Sequence, residues 1–257
     1  MTAWPDAFDL AATLSCGQCF RWRENADGTF TGVASGRRLT VSPDDAPDDP
    51  FWRDYFDLSL DYASIRRELA ARSPVLAEAA AFAPGIRILR QDPWEALCSF
   101  ILSQNNNIPR IMGIVERLCE AFGDPLPGGG FSFPPPERLA PLSVSDLAPL
   151  RCGFRARYVL DAARKVSSGL DLAAAGRLPL PEARRALREI DGVGPKVAEC
   201  VLLYGLHRLD AFPVDVWMRR AMDALLPGVS PESLGPYAGV AQQDLFHYSR
   251  RHPELFR

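Results

Sequence analysis

Short runs in the first fifty positions alternate between hydrophobic and polar residues. The runs "CFRWRE", "TFTGVA" and "SGRRLTVS" follow one another, with "NADG" and a Ser-Gly pair at the junctions. A period of two, bounded by Asp-Gly and Ser-Gly pairs, is typical of antiparallel strands joined by tight turns. The pattern therefore predicts a small antiparallel meander.

From about residue 51 the apolar residues recur every three to four positions, which indicates helices. "DYASIRRELAARSP" places a capping aspartate, Asp61, before such a run and ends it at a proline. "DPWEALCSFILSQ" at 92–104 begins with Asp92 and has Pro93 in its first turn. After "NNN", one further apolar face is formed by Ile108, Ile111, Met112, Val115, Cys119 and Phe122.

The rest of the chain predicts more helices. "PLPGGGFSFPPP" at 125–136 is rich in glycine and proline and indicates a surface linker. Helices are predicted near 137–149, 155–168, 181–190 and 195–206, from Asp215 onward, and near 236–250. The expected fold class is α+β, mostly helical. A small N-terminal antiparallel β domain with flanking helices occupies 1–90, and a two-lobed helical domain occupies 91–257.

The composition is 47% hydrophobic and 24% charged, as in ordinary globular proteins. No apolar run approaches the roughly 20 residues of a membrane span. "MTAWPDAFDLAATL" lacks a basic region followed by an apolar stretch. We therefore expect no targeting signal and no membrane partner. The expected protein is a monomer that is cytoplasmic, at the nucleoid if the chain is bacterial.

Cysteine usage argues against a disulfide framework. Cys16 and Cys19 form a C-x-x-C, which could indicate redox or zinc chemistry, but the sequence holds no second such pair. The three histidines lie far downstream, and no cysteine follows Cys200, which excludes a C-terminal four-cysteine iron–sulfur cluster. We expect six reduced thiols, no metal and no cofactor.

The net charge of −3 weighs against nucleic acid as a partner. The charge is uneven, however, because "RCGFRARYVLDAARK" at 151–165 holds five basic residues and one acid. Local patches decide binding to a phosphate backbone. The stretch is either a solvated helix face or a DNA-binding surface.

"LREIDGVGPKVAECVLL" reads as two apolar helices joined by a tight turn, a helix-hairpin-helix at 181–206. Gly192 and Gly194 would permit positive φ, and Pro195 suits the first position of the second helix. The amides that follow form an anion site at a helix N-terminus. The pattern is that of an ordinary helical corner or of a clamp on DNA phosphate, and the G-V-G-x-K register favours the clamp.

Only two of the 29 basic residues are lysines, Lys165 and Lys196. Lys196 lies in the first turn of a helix, where the helix dipole disfavours a cation. This position and partial burial both favour a neutral amine, which can form a Schiff base as a guanidinium cannot. A plain phosphate-binding lysine is the alternative, although arginine would serve there as well.

Asp215 in "FPVDVWMRR" precedes an apolar run and is predicted to cap the next helix. A fixed carboxylate near the lysine would also stabilise the cationic sugar that forms when a glycosidic bond breaks. The two roles are compatible, because capping holds the carboxylate rigid.

"LREIDGVGPKVAECVLLYGLHRLDAFPVDVWM" resembles the helix-hairpin-helix (HhH-GPD) DNA glycosylases. "CGQCFRW", "NNNIPRI" and "GFRARYV" are similar to segments of the 8-oxoguanine DNA glycosylase/lyases, and the resemblance extends over nearly the whole chain. It implies a DNA repair enzyme that excises 8-oxoguanine and then nicks the abasic site by β-elimination. Two alternatives stay open: a monofunctional glycosylase for alkylated or other bases, and a non-catalytic DNA-binding module.

The resemblance also implies roles for individual residues. Lys196 would attack C1′ of the damaged nucleotide, and Asp215 would be the essential aspartate. The carbonyl of Gly17 would accept N7–H, which 8-oxoguanine has and guanine lacks. Cys200 and Phe246 would sandwich the base, and Gln242 would read its Watson–Crick edge.

The resemblance implies DNA contacts as well, with double-stranded DNA as the partner, preferably with 8-oxoguanine opposite cytosine. Phe154 would fill the gap in the base stack. Trp217 stands where many relatives have a histidine that contacts the 5′-phosphate. The residues matching positions that hold the unpaired cytosine are Asn105, Arg110 and Arg155, and the hairpin contacts are Gly192 and Gly194.

Overall fold

In a computed structural model that describes residues 3–5 and 7–256, three strands form one antiparallel sheet. The strands are β1 (Trp22–Glu24), β2 (Phe30–Ala34) and β3 (Arg37–Val41), in the order β1-β2-β3. Positive φ at Gly28 and Gly36 allows the two tight turns between them. The predicted meander is confirmed.

Four helices accompany the sheet in the described part of the first ninety residues. Asp61 caps the third of them, since its Oδ1 accepts the backbone N–H of Ser64 at 2.9 Å. This is the cap that the sequence predicts. The four helices are α1 (Leu10–Ser15), α2 (Pro50–Tyr55), α3 (Tyr62–Ala70) and α4 (Pro74–Phe82).

The described residues after position 90 are predominantly helical, which confirms the α+β, mostly helical fold class. Asp92 caps the first of these helices by accepting the N–H of Glu95 at 2.9 Å. Short 3₁₀ helices lie at Ala148–Leu150, Pro231–Tyr237 and Pro253–Phe256, and a π-helix lies at Val201–Gly205. The α-helices are α5 (Pro93–Leu102), α6 (Ile108–Phe122), α7 (Pro136–Leu139), α8 (Arg155–Ser167), α9 (Leu172–Arg177), α10 (Leu180–Arg188), α11 (Pro195–Cys200), α12 (Val216–Leu225) and α13 (Ala238–Arg251).

The predicted helix at 137–149 is wrong. The structure has only α7 and the 3₁₀ turn at Ala148–Leu150 in this range. Pro141 cannot continue the hydrogen-bond ladder of α7. Beyond it, the carboxylate of Asp146 accepts both the N–H and the hydroxyl of Ser143, at 2.8 and 2.6 Å, which fixes a turn instead of a helix.

The two largest of three hydrophobic clusters among the described residues form the main cores of the molecule. The larger one surrounds α5, whose residues from Trp94 to Leu102 are all buried. The smaller one lies beneath the sheet and is built from aromatic side chains such as Trp22, Trp52 and Phe56. Helices α3 and α4, which precede residue 90, contribute to the larger core and pack against α13. The domain boundary predicted at residue 90 stays a prediction. Residues 1, 2, 6 and 257 of the two predicted domains lie outside the described residues.

None of the described helices combines the length and the apolar character that crossing a bilayer would require.

Candidate active site

A cavity of about 580 Å³ opens between the end of α1, the loop after α5, and helices α11 and α13. The sequence predicted six residues for catalysis or base binding, and the fold brings all six to this one cavity, although they come from four separate parts of the chain. They are Gly17, Lys196, Cys200, Asp215, Gln242 and Phe246.

Lys196 enters the cavity from the first turn of α11. Its Nζ lies 3.4 Å from the hydroxyl of Ser103 and 5.2 Å from the centroid of the Phe100 ring. The side chain is half-buried, and no ion pair with a described carboxylate neutralises it. A lysine with an apolar ring, a hydroxyl and a thiol as neighbours is free to act on a ligand in the cavity.

Asp215 reaches the same cavity from the loop before α12. Its Oδ1 accepts the backbone N–H of Met218 at 2.7 Å, so the predicted N-cap is confirmed. This bond holds one carboxylate oxygen at a defined place on the cavity wall.

The remaining wall suits a flat, polar-edged ligand. Gly17 has φ +87, a conformation that L side chains rarely adopt, so the backbone can approach a ligand closely there. Phe246 lines the cavity from α13, and Gln242, one turn earlier, is buried. Burial raises the pKa of the Cys200 thiol, the charge of Lys196 lowers it, and the thiol therefore stays neutral beside the lysine.

The C-x-x-C motif holds inert thiols. All six cysteines are free and buried. Burial raises the pKa of Cys16 to about 12 and that of Cys19 well above its usual value, so neither forms the reactive thiolate readily. Among the described residues, no group of three or more histidine, cysteine or acidic side chains is arranged to hold a metal ion.

The hairpin turn differs from expectation at one glycine. Gly192 has φ +80, and a Cβ there would lie 2.3 Å from the Tyr158 ring, so glycine is required on both counts. Gly194 has φ −82 and ψ −179, an extended conformation open to any residue, so the predicted positive φ is wrong there. A Cβ on Gly194 would meet nothing within 4 Å. Gly194 therefore lies on an open surface.

Asn105, in the loop between α5 and α6, and Arg110, in the first turn of α6, both lie at the surface. Asn105 has φ +52, a left-handed conformation that asparagine tolerates. Asn107 caps α6 by accepting the N–H of Arg110 at 3.0 Å, and Pro109 fits the first turn of that helix. Arg110 is exposed, so its guanidinium is available to a ligand.

Arg155 is buried beneath that loop, with 3% of its surface exposed. Its guanidinium donates to the backbone carbonyls of Gln104, Asn105 and Cys152. In this arrangement Arg155 orders the loop that carries Asn105 and does not present its donors to the exterior. Burial lowers the pKa of Arg155, and the nearby charge of Arg110 lowers it further, which marks an accumulation of positive charge.

Phe154 projects from the start of α8, beside Arg155. Half of its surface, 50%, is exposed. Its ring lies 4.5 Å from the guanidinium carbon of Arg155 and meets Tyr158 edge to face. The ring is supported from below and open above.

Trp217 is placed by a hydrogen bond from its Nε1 to the hydroxyl of Ser249 at 2.9 Å. The guanidinium of Arg250 lies 5.1 Å from the Trp217 ring and 5.9 Å from the Phe246 ring. Arg250 and Arg251 both line the cavity. The Trp217 ring therefore lies beside Arg250 at the rim of the cavity.

The sequence did not reveal several residues that build this site. Phe100, Ser103 and Tyr204 line the cavity, but each falls inside an apolar helical pattern that predicts core packing. Glu199 lies behind Lys196 and bonds the loop that leads to Asp215, a contact between segments that no local pattern announces.

Two family models match adjacent parts of the chain, which together span residues 3–228. The one described as 8-oxoguanine DNA glycosylase, N-terminal domain, matches residues 3–97. The one described as HhH-GPD superfamily base excision DNA repair protein matches residues 98–228.

Individual relatives agree with these matches. A probable N-glycosylase/DNA lyase of Methanothermobacter thermautotrophicus is 31% identical over 200 residues, which are 65% of this chain and 64% of that protein. The chain thus spans just under two thirds of that relative's length.

Two solved structures are similar over 96% of this chain and 93% of their own. One is MBOgg1 in complex with a low affinity DNA ligand, with a TM-score of 0.88 and 44% identity. The other is the Clostridium acetobutylicum 8-oxoguanine glycosylase/lyase in complex with double-stranded DNA containing cytosine opposite 8-oxoguanine, with a TM-score of 0.86 and 35% identity.

Proposed function

The chain belongs to the HhH-GPD superfamily of base excision DNA repair proteins, among the 8-oxoguanine DNA glycosylases, and we propose that it excises 8-oxoguanine from double-stranded DNA and then nicks the strand. The observation that carries this proposal is that Lys196 and Asp215 line one cavity together with four residues suited to hold a flat base.

In the proposed reaction the damaged nucleotide leaves the stack and its base enters the cavity. The carbonyl of Gly17 accepts N7–H of 8-oxoguanine, which guanine cannot offer. Phe246 and Cys200 lie on either face of the base, and Gln242 reads its Watson–Crick edge. The positive φ of Gly17 and the burial of Gln242 suit these roles.

Lys196 is the proposed nucleophile. Its Nζ attacks C1′, the bond between C1′ and the base breaks, and the proton lost by the amine passes to the departing base. Asp215, fixed by its bond to Met218, stabilises the positive charge that develops on the sugar. The apolar ring of Phe100 beside Nζ excludes water from the attacking amine.

The second step follows from the covalent bond to Lys196. The sugar opens to a Schiff base, a proton is lost from C2′, and the C3′–O bond breaks by β-elimination. The DNA strand is thereby nicked, and hydrolysis of the Schiff base frees the lysine.

We propose that DNA lies over the face that carries the hairpin, the loop after α5 and the start of α8. The exposed ring of Phe154 fills the gap left by the damaged nucleotide. Asn105 and Arg110 contact the unpaired cytosine, and Arg155 holds the loop that carries Asn105 from below. Hairpin amides after Gly192 and Gly194 bind phosphate, and Arg250, resting on Trp217, meets the phosphate at the cavity rim. We propose that the enzyme acts as a monomer, since one chain contributes all the residues assigned to the proposed site.

Borohydride trapping tests the proposal. A duplex with 8-oxoguanine opposite cytosine is mixed with wild type, Lys196→Gln or Lys165→Gln, and covalent complexes are counted after reduction. Lys165 is the matched control, because it is the other lysine of the chain and is engaged by Asp161 and the carbonyl of Glu189. We expect trapping by wild type and Lys165→Gln, and none by Lys196→Gln.

The same assay separates the alternatives. Trapping retained by Lys196→Gln would place the nucleophile elsewhere. Release of alkylated bases without a covalent complex would indicate a monofunctional glycosylase. DNA binding without release of any base would indicate a binding module.

A further inference from the structure

Tyr204 lines the cavity but has no role in the proposed reaction. It follows Lys196 and Cys200 at intervals of four residues, so all three lie on one face of the same helix. The helix changes from α at Cys200 to π over Val201–Gly205, and such π-turns occur frequently at functional sites. The Tyr204 ring stacks on Phe100, with centroids 5.3 Å apart and an interplanar angle of 21°.

The Tyr204 hydroxyl lies between two glutamine side chains of α13. It is 2.7 Å from Oε1 of Gln243 and 3.3 Å from Oε1 of Gln242. Burial raises the pKa of Tyr204 well above its usual value, so the hydroxyl keeps its one proton. A single proton shared between two carbonyl oxygens gives at least one of them only a weak hydrogen bond.

The buried amide nitrogen of Gln243 resolves this conflict. Gln243 is 1% exposed, and its Nε2 has no hydrogen-bond partner among the described residues. Turning this carboxamide by 180° places Nε2 where it donates to the tyrosine oxygen, and the hydroxyl proton is then committed to Gln242. The turn leaves a carbonyl oxygen without a donor, which proteins tolerate better than a buried N–H without an acceptor.

We propose that Tyr204 is a positioning residue that fixes the orientation of Gln242, so that the cavity selects a purine with a carbonyl at C6 over one with an amino group there. The relay runs from the amide of Gln243 through the hydroxyl of Tyr204 to the carbonyl of Gln242. The carbonyl of Gln242 is then held by tyrosine, and its amino group remains for the base. A 6-oxo group accepts this bond, whereas a 6-amino group meets it donor to donor.

Selection at C6 distinguishes two oxidised purines that the Gly17 carbonyl cannot distinguish. 8-Oxoguanine and 8-oxoadenine both carry N7–H and the 8-oxo group, so the Gly17 carbonyl does not distinguish them. They differ at C6, N1 and C2, and C6 is the position that Gln242 would read. The inference rests on the proposed function, because it assigns the substrate preference of the same cavity.

Single-turnover excision of 8-oxoguanine and of 8-oxoadenine, both opposite cytosine, tests the relay. In Tyr204→Phe the Gln242 amide turns freely, and we expect the ratio of the two rates to fall roughly tenfold, as for loss of one hydrogen bond. Gln243→Met removes the amide that donates to the Tyr204 oxygen and so directs the tyrosine proton to Gln242. It should therefore lower the ratio of the two excision rates in the same way. It also serves as the second variant if Tyr204→Phe folds poorly.

Tyr62→Phe is the matched control. Its hydroxyl is also buried and donates to Asp57 at 2.9 Å, but it lies away from the cavity, so the variant should lose stability and keep the ratio. An unchanged ratio in Tyr204→Phe and Gln243→Met, with wild type active on 8-oxoguanine, overturns the relay and leaves the proposed function standing. A wild type that releases neither base overturns the proposed function and this inference with it.

Discussion

The buried carboxylate of Glu199 accepts the backbone N–H of Phe212 at 2.8 Å. Glu199 belongs to the helix that carries Lys196, and Phe212 belongs to the loop that ends at Asp215. The other carboxylate oxygen pairs with Arg184 of α10. One side chain therefore sets the spacing between the two residues proposed to perform the chemistry.

We expect Glu199→Ala to lower both stability and activity. The substitution removes a charge-assisted hydrogen bond of about 1.5–3 kcal/mol and leaves the Phe212 N–H without its acceptor. Glu199→Gln keeps an acceptor for Phe212 and loses only the charge that pairs with Arg184. The measurements are urea unfolding and single-turnover base release. Equal activity losses in the two variants would show that the ion pair, and not the bond to the loop, positions Asp215.

Asp215→Asn should separate capping from catalysis. Asparagine caps helices as well as aspartate does, so unfolding should change by only a few tenths of a kcal/mol. Base release should slow by at least about a hundredfold, because a neutral amide cannot stabilise a cationic sugar. Asp61→Asn, at a cap far from the cavity, is the control for a pure capping effect. Activity within a few-fold of wild type would reduce Asp215 to a cap.

Asp57 connects the part of the chain that holds the sheet with the helical part. Its carboxylate is fully buried and bonds His207 at 3.1 Å, Arg90 at 2.8 Å and Tyr62 at 2.9 Å. Burial alone would raise the pKa of Asp57, but the hydrogen bond and charge of His207 and the charge of Arg90 more than offset it, and the pKa lies below its usual value.

We therefore expect Asp57→Asn to change how stability depends on pH. Because the folded-state pKa is the lower one, the stabilisation is present above the unfolded-state value and is lost as pH falls through the folded-state value. At pH 7 the variant should lose about 3 kcal/mol, as when a buried ion pair is broken. The difference should begin to shrink only below about pH 4, near the unfolded-state pKa, and should close as pH falls through the lower folded-state pKa. Thermal melts between pH 3 and pH 7 measure this, and a Tm difference that stays constant over this range would contradict it.

Local signals predict much of the fold, and competing local interactions explain where these predictions are wrong. The sequence predicts the N-caps Asp61, Asp92 and Asp215 because the capping residue and the N–H it bonds lie within four consecutive residues. The helix predicted at 137–149 failed because the turn at Ser143 competes with helical bonding. The positive φ predicted at Gly194 failed because one left-handed residue, Gly192, suffices for the turn.

In the candidate site, some residues are predictable from the sequence, and others depend on long-range contacts. The hairpin pattern and the capping position predict Lys196 and Asp215, and the resemblance to the family implies Gly17. Glu199 and Tyr204 act through partners 13 and 38 or 39 residues away, and their own surroundings in the sequence look like ordinary helix interior. Arg155 was expected to touch the opposite base, and only the structure shows that its donors hold the neighbouring loop.

That placement of Arg155 leaves Arg110 and Asn105 as the exposed donors for the base opposite the lesion. Cytosine presents the N3 and O2 acceptors to these donors, whereas adenine presents no such pair, so 8-oxoguanine should be released faster opposite cytosine. Losing one base-edge contact costs about 1–3 kcal/mol of discrimination. Arg110→Ala removes a contact that the cytosine pair has and the adenine pair lacks. It should therefore reduce the ratio of the excision rates, cytosine over adenine, about tenfold.

Arg157→Ala provides the comparison for this last prediction, since Arg157 is an exposed arginine of α8 that bonds Tyr158 and does not line the cavity. It should weaken all four opposite-base pairs alike, as loss of a phosphate contact does. If Arg110→Ala also weakens all four pairs alike, Arg110 contacts phosphate. The selectivity would then have to reside in Asn105. The glycosylase reaction would be untouched by that result, because Lys196 and Asp215 lie in the cavity and Arg110 does not line it.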